Sequence, residues 1–285
     1  MIKKIKHKFQ RVKYYLGVLA IRLKLQFHWL TRGRTYRSRA LNGNQVVVSL
    51  TSYPPRFSTL HLTLQSLLSQ SFSPERVILW IAENDFHLLP SSVTALTKSG
   101  LEILPCPDLK SYKKLIPLLM QTKEYCVVTA DDDVYYWKDW LKEFTDTRSP
   151  GQQEVICHRM HRIKLGENGL PLPYSNWEMQ SCATEAHCLN FPTGVGGVLY
   201  PKGIFAPEVL NIESFTALCP RGDDIWFWWM ARTNGARFKR AGKSKPVHCW
   251  TGTQECALWE DNIHGNFNDV QIAAMVSAYG FPAVA

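Results

Sequence analysis

The first 74 residues contain no aspartate and no glutamate; the first acidic residue of the chain is Glu75. Thirteen of the 33 Lys and Arg lie ahead of it, leaving 20 basic and 24 acidic residues for the rest. The net charge of +9 therefore belongs to one end, which excludes a nucleic-acid binder with a basic surface spread over its body. Long apolar runs are missing as well. The longest, Tyr14 to Ile21, has eight residues, and crossing a bilayer takes about 20. The eight cysteines, at 106, 126, 157, 182, 188, 219, 249 and 256, form no CxxC pair, which argues against a zinc ribbon or thioredoxin-type site. With no secretory signal and with Cys126 inside the apolar run YCVVTA, reduced thiols in a reducing compartment are expected. There is no repeat of 20–50 residues and no periodic glycine or proline, so solenoid, propeller and collagen-like architectures are set aside. What remains is a chain of 285 residues, 45% apolar with ten Trp, enough for a large globular core.

The basic end has its own pattern. Ile2, Ile5, Phe9, Val12, Leu16, Leu19, Leu23, Phe27 and Leu30 recur every three or four residues, one apolar stripe on a helix. Lys3, Lys4, Lys6, Lys8, Arg11, Lys13, Arg22 and Lys24 lie mostly around it. Arg22 and Lys24 stand where a signal peptide would carry small residues. Residues 1–40 are expected to form a basic amphipathic arm, with 1–34 lying in the interface of an anionic membrane. Packing of the stripe on the protein's own body is the alternative. Deleting 1–34 is expected to leave a folded, soluble domain.

From residue 45 strands and helices alternate. QVVVSL (45–50), RVILWIA (76–82), LEILPC (101–106) and YCVVTA (125–130) read as strands. Helical spacing falls at 58–70, in the segment ending at Gly100, and at 111–124. This order implies βαβ units and a parallel sheet, with ligands bound beyond the carboxyl ends of the strands. Further on, EVICHRMHRI reads as one strand and 166–190 as a polar loop. FPTGVGGVLYP is a glycine-rich turn into a strand, and 223–233 a Trp-rich helix. ARFKRAG and PVHCWTGTQ read as strands, and 268–280 as a terminal helix capped by Asn or Asp. No linker interrupts this stretch, so 41–285 is taken as one catalytic domain.

Directly after the fourth strand stand Asp131, Asp132 and Asp133. Three adjacent carboxylates oppose one another's ionisation unless a cation joins them. In extended chain Asp131 and Asp133 would share a side, offering hard oxygen ligands to Mn²⁺ or Mg²⁺; an acidic loop or a helix cap near Trp137 is the alternative. A strand–helix half ending in this Asp-x-Asp resembles the GT-A nucleotide-sugar glycosyltransferases, particularly small bacterial enzymes of surface polysaccharide synthesis, over about residues 45–280. The resemblance implies an α/β fold: a Rossmann-like mixed sheet of GT-A type flanked by helices, here with the N-terminal basic amphipathic helix ahead of it.

It also implies site residues. SLTSYPPR (49–56) is similar to the loop that holds the nucleotide base, making Thr51, Tyr53 and Arg56 donor-site candidates, with Glu83, Asn84 and Asp85 weaker ones. Lys114, beside Lys113, would meet the donor diphosphate near a helix start. Asp131 and Asp132 would contact the donor, and Asp131, Asp133 and His264 would hold the metal, with His248 a further ligand candidate. Thr193-Gly194-Val195-Gly196-Gly197 resembles the family's glycine loop, in which Gly196 and Gly197 would approach the donor through bare backbone. No Gly-Lys-Ser/Thr follows, so it is no Walker loop. Asp223 and Asp224 open the Trp-rich helix. One is placed as its N-cap; by the resemblance Asp224, or else Asp223, is the base that deprotonates an acceptor hydroxyl in an inverting transfer. One or two of the Trp residues at 226, 228 and 229, or Phe227, could stack on acceptor sugars. His158 and His161 are close in sequence, and no HExxH is present. The segment Trp259–Asp269 is expected to fold over the site.

The resemblance, together with the basic arm, implies a metal-dependent glycosyltransferase on the inner face of the bacterial cell membrane. It would move a sugar from a nucleoside-diphosphate donor to a lipid-linked, lipopolysaccharide or capsule glycan. A nucleotidyltransferase or phosphohydrolase using Asp131 and Asp133 is one rival; SLTSYPPR lacks the basic glycine-rich loop such enzymes usually carry. A non-catalytic membrane adaptor is another, and it leaves the acidic clusters without a purpose.

Overall fold

The computed structural model describes residues 2–32, 46–122, 124–149, 151–243, 245–253 and 266–283. Helix α1 runs Ile2–Arg32. Strand β1 (Val46–Thr51) leads through a proline turn into α2 (Phe57–Leu68). Then come β2 (Arg76–Ala82), the short helix α3 (Ser91–Thr94), β3 (Leu101–Cys106), α4 (Ile116–Gln121) and β4 (Cys126–Ala130). Gly100 ends the segment after α3 with φ +90°, the left-handed cap expected of it. The second half holds α5 (Trp140–Thr147), β5 (Glu154–Cys157), β6 (Met160–Arg162), β7 (Asn190–Pro192) and β8 (Val198–Tyr200). It ends with α6 (Ile212–Leu218), α7 (Asp223–Thr233), β9 (Arg237–Arg240) and α8 (Phe267–Tyr279).

Seven strands form one mixed sheet in the order β3-β2-β1-β4-β8-β5-β9, and β6 pairs with β7 in a separate ribbon. β3, β2, β1 and β4 are parallel, and β8 runs antiparallel between β4 and β5. This is a mixed α/β sheet, mostly parallel and flanked by helices, as expected. Alternation along the buried strands feeds two cores. Val47, Ile78, Trp80 and Val127 face the aromatic residues of α7, and Val46, Val48, Leu50 and Val128 face α2 and α5. The strand order reverses beside β1 and β4, so the loops leaving these two strands meet at the switch point.

Several sequence expectations are corrected. The helix expected at 111–124 is a 3-10 turn (Lys110–Lys114) followed by α4, because Leu115 leaves helical geometry at φ −135° and Pro117 restarts the helix. The helix expected near Trp137 is α5, three residues later. EVICHRMHRI divides into β5 and β6, which belong to different sheets. PVHCWTGTQ forms no strand in its described part; it contributes one isolated bridge, Cys249 to Val134. The N-cap of α8 is Asn266 in left-handed backbone, with no side-chain capping bond. The seven described cysteines are free, and Cys256 lies outside the described residues.

Candidate active site

In-register pairing builds the site. Leu50 lies opposite Ala130, so the residues after β1 stand beside those after β4. Ser52 Oγ accordingly donates to Asp132 Oδ2 at 2.5 Å. Arg56, in the proline turn, pairs with Asp133 at 2.5 Å and Asp132 at 3.7 Å. From α2, Thr63 donates to the carbonyls of Asp132 and Val134, and it accepts from the Trp250 indole. The Asp133 carbonyl accepts from Trp250 N at 2.9 Å. The acidic loop is thus bound from three sides.

The alternation argument for Asp131 and Asp133 fails here. The chain turns at residues 132–133, so extended periodicity stops at Ala130. Asp131 instead faces Lys114, whose Nζ lies 3.3 Å from Asp131 Oδ1 and 2.9 Å from Asp223 Oδ2. The bend at Leu115 brings Lys114 in; the sequence had placed it at a helix start facing a diphosphate. Burial opposes the charge on Lys114, but Asp223, Asp131 and Asp224 together hold its pKa well above the ordinary value. Lys113 is buried too, but it pairs with Asp108 at 3.1 Å.

α7 supplies the other carboxylates. Its N-cap is Gly222, so neither Asp223 nor Asp224 is the cap expected from sequence. Gly222 leaves both acids inside the first turn, where the helix dipole favours negative charge. Asp224 Oδ2 accepts from Gly194 N at 2.8 Å. Asp224 as a residue is half-buried, and burial of its carboxyl with the neighbouring Asp223 charge pushes its pKa up to about 7 against the pull of Lys114 and Gly194. Burial and Asp133 likewise push Asp132 up to about 7.

The glycine loop is used differently from the expectation. A Cβ at Gly194 would come within 2.9 Å of Lys114 Nζ, 3.1 Å of Asp224 and 3.5 Å of Asp131. This is the glycine that lets backbone reach the acidic cluster. Gly197, at φ +93°, leaves room for the Trp140 ring, which a Cβ would approach to 2.5 Å, and Gly196 O accepts from the Trp140 indole at 2.6 Å. Both are buried packing positions, not brought to the cluster. Thr51 Oγ1 is spent on Trp80 O at 2.8 Å, while Tyr53 is exposed near Arg56. Glu83, Asn84 and Asp85 lie in the 3-10 turn after β2, on the same strand-end edge.

All four aromatics of α7 are buried, and the indoles of Trp226, Trp228 and Trp229 donate to Val209 O, Asn190 O and Gly280 O. They serve the core, and none is displayed for an acceptor sugar. His158 and His161 are buried; desolvation pushes them down to about 4 and about 3, so both are neutral. His248 stacks on Tyr14. His264 and most of the expected covering segment, 259–265, lie outside the described residues, whereas Asp269 on α8 accepts from Tyr174 N at 2.6 Å.

Sequence reasoning missed Ser52, Thr63, Gly194 and Arg159. Arg159 donates to Thr193 Oγ1 at 2.9 Å beside the glycine loop. Only the register of β1 against β4 could have pointed to Ser52. Among the described residues no group of three or more His, Cys, Asp or Glu is arranged as a metal site. The charge balance nevertheless suits a divalent cation. Among the described residues Arg56 pairs with Asp132 and Asp133 and Lys114 with Asp131 and Asp223, and Asp131 is the most open of the loop's three carboxylates at 27%.

No protein-family model matches the chain. No curated protein matches its sequence. Among solved structures it is similar to 4-diphosphocytidyl-2C-methyl-D-erythritol synthase from Anaerococcus prevotii, at 11% identity over 79% of this chain and 98% of that one, TM-score 0.46. It is also similar to S. aureus TarS 1-349, at 18% identity over 82% of this chain and 66% of that one, TM-score 0.49. The same TarS segment in complex with UDP gives 17% identity over the same shares, TM-score 0.49.

Proposed function

We propose that the chain is a nucleotide-sugar-dependent glycosyltransferase that acts on a glycan or glycolipid acceptor with Asp224 as the catalytic base. One observation carries this reading. Two acidic segments remote in sequence, Asp131–Asp133 and Asp223–Asp224, converge on Lys114 at the switch-point edge of the sheet. Burying carboxylates at this edge is costly unless a cation joins them, and among the described residues Asp131 and Asp223 share Lys114 between them.

In this reading the open edge after β1, β2 and β4 takes the nucleotide, with Tyr53 and the 83–85 turn nearest its base. Arg56 holds the acidic loop in shape by pairing with Asp132 and Asp133. Asp131, the most open carboxylate of the loop, would hold Mn²⁺ or Mg²⁺, which would supply compensation for the charge that builds on a departing diphosphate. Lys114 keeps Asp131 and Asp223 in place and adds positive charge near the same position. Asp224, oriented by the Gly194 amide, accepts the proton of the acceptor hydroxyl as that oxygen attacks the anomeric carbon, giving inversion. A carboxyl with a pKa near 7 can take that proton at neutral pH without being wholly protonated beforehand.

Thermal shifts and calorimetry over a panel of nucleoside diphosphates and nucleotide sugars, with and without Mn²⁺, test the reading. One donor should raise the melting midpoint by mass action, more strongly with Mn²⁺, and Asp131→Asn should remove the Mn²⁺ increment. No response to any nucleotide sugar would sink the donor assignment. Equal donor affinity with and without metal, in both proteins, would remove the cation from it.

A further inference from the structure

Helix α1 has two apolar faces, and the structure separates them. Tyr14, Val18, Ile21 and Leu25 turn toward the body, where Val18, Leu25, Leu62 and Trp250 form a small buried cluster joined by Ile21. Tyr14 fastens this face: its hydroxyl accepts from Cys249 N at 3.1 Å. The stripe seen in the sequence is the other face. Val12, Leu16, Leu19, Leu23, Phe27 and Leu30 lie roughly opposite on the helical wheel and are between 50% and 83% exposed. No described residue covers them.

Charge says what fits this stripe. Lys13 and Lys24 flank it on one side and Arg22 on the other, all three exposed, and the helix has no acidic residue along its length. An aqueous protein partner would need to supply both an apolar groove and two acidic rims. A bilayer with anionic headgroups offers both at once: acyl chains under the stripe and negative charge at the level of the flanking cations. The helix is not long and apolar enough to cross a membrane, so it would lie along the surface.

We infer that the exposed stripe of α1 is a docking surface for an anionic lipid bilayer, independent of the reading of the active site. The docking has a direction. The face opposite the stripe grips the Cys249–Trp250 segment, which in turn bonds Asp133 and Thr63 behind the acidic loop. A docked α1 therefore holds that loop at a set orientation to the bilayer.

The full chain is to be tested by sedimentation with phosphatidylcholine vesicles and with vesicles also containing phosphatidylglycerol, at low and high salt. Binding is expected to the mixed vesicles, weakening with salt. A Leu19→Glu/Leu23→Glu variant should bind about 100-fold more weakly or worse with an unchanged melting curve, since both side chains are exposed. Should that pair fail to fold, Leu19→Ser/Leu23→Ser reads the same face. Lys13→Glu/Lys24→Glu should lose the preference for phosphatidylglycerol. Wild-type binding by either leucine variant overturns the proposal. So does a wild-type chain that ignores both vesicles but forms a dimer, by light scattering, that the leucine variant dissolves.

Discussion

Asp224 gathers more of the proposed chemistry than any other residue, and its environment makes two separable predictions. Asp224→Asn retains an acceptor oxygen for the Gly194 amide but takes no proton. With the true acceptor, kcat should fall by about 10²–10⁴, while nucleotide binding stays nearly constant because the proton moves only in the transition state. The second prediction is one of stability. A carboxyl near 7 in the folded protein and near the ordinary aspartate value of 3.8 when unfolded binds its proton more tightly in the fold. Its contribution is fully present below the unfolded value and is lost as pH rises through about 7. Asp224→Asn should therefore match the wild type in urea denaturation at pH 4 and exceed it at pH 8. Near-normal kcat would dismiss the base, and equal stability at both pH values would dismiss the raised pKa. Helix capping explains neither result, since Gly222 is the cap.

At the scale of elements, the loop between β7 and β8 sorts its glycines by task. Gly197→Ala would set a Cβ 2.5 Å from the Trp140 ring and 3.1 Å from Thr129 O at φ +93°. Overpacking and a left-handed alanine together should cost about 2–4 kcal/mol, measurable by urea denaturation. Gly194→Ala meets chiefly the flexible end of Lys114, at 2.9 Å, and the Asp224 carboxylate. Its stability cost should stay within about 1 kcal/mol, but kcat/KM should fall by about tenfold or more because the Asp224–Lys114–Asp131 arrangement must shift. If Gly194→Ala proves the more destabilising and the more active of the two, this division of labour is wrong.

For the molecule as a whole, α1 decides how independent the N-terminal segment is. Removal of residues 1–34 takes only the partly buried Trp29 from the edge of one sheet core, so a folded domain is still expected. It also strips cover from Leu62 and Trp250 and removes the Tyr14 bond to Cys249. Losing the buried Val18 and Leu25 alone withdraws roughly 3–6 kcal/mol, so the melting midpoint should drop by about 10 °C. Scanning calorimetry of the truncated chain checks this. An unchanged midpoint would mean that the inner face of α1 adds nothing, and failure to fold would mean that it adds far more than its area suggests.

The positions of β1 to β4, the α7 boundaries and the Asp-rich edge were legible in the sequence because each rests on local signals. β-branched runs such as VVV and VIL favour pleated, buried chain, and Gly222 and Gly235 bracket the Trp-rich helix. The apolar stripe of α1 was legible for the same reason, since helical periodicity needs no partner. What the carboxylates face was not. Asp131 meets Lys114, and Asp132 and Asp133 meet Arg56, through a bend at Leu115 and a turn at residues 132–133. Periodicity stops where regular backbone stops, so spacing could not carry the argument past Ala130. The glycines of the 194–197 loop look alike in sequence; only the packed neighbours distinguish the one beside Asp224 from the one beneath Trp140. Likewise, one-dimensional spacing shows that a helix has apolar residues at several angles, but the body that covers one face and leaves the other open exists only once the sheet and α2 have assembled. Local pattern set the elements and their order. Contacts between residues distant in sequence decided which charges pair and which surfaces remain.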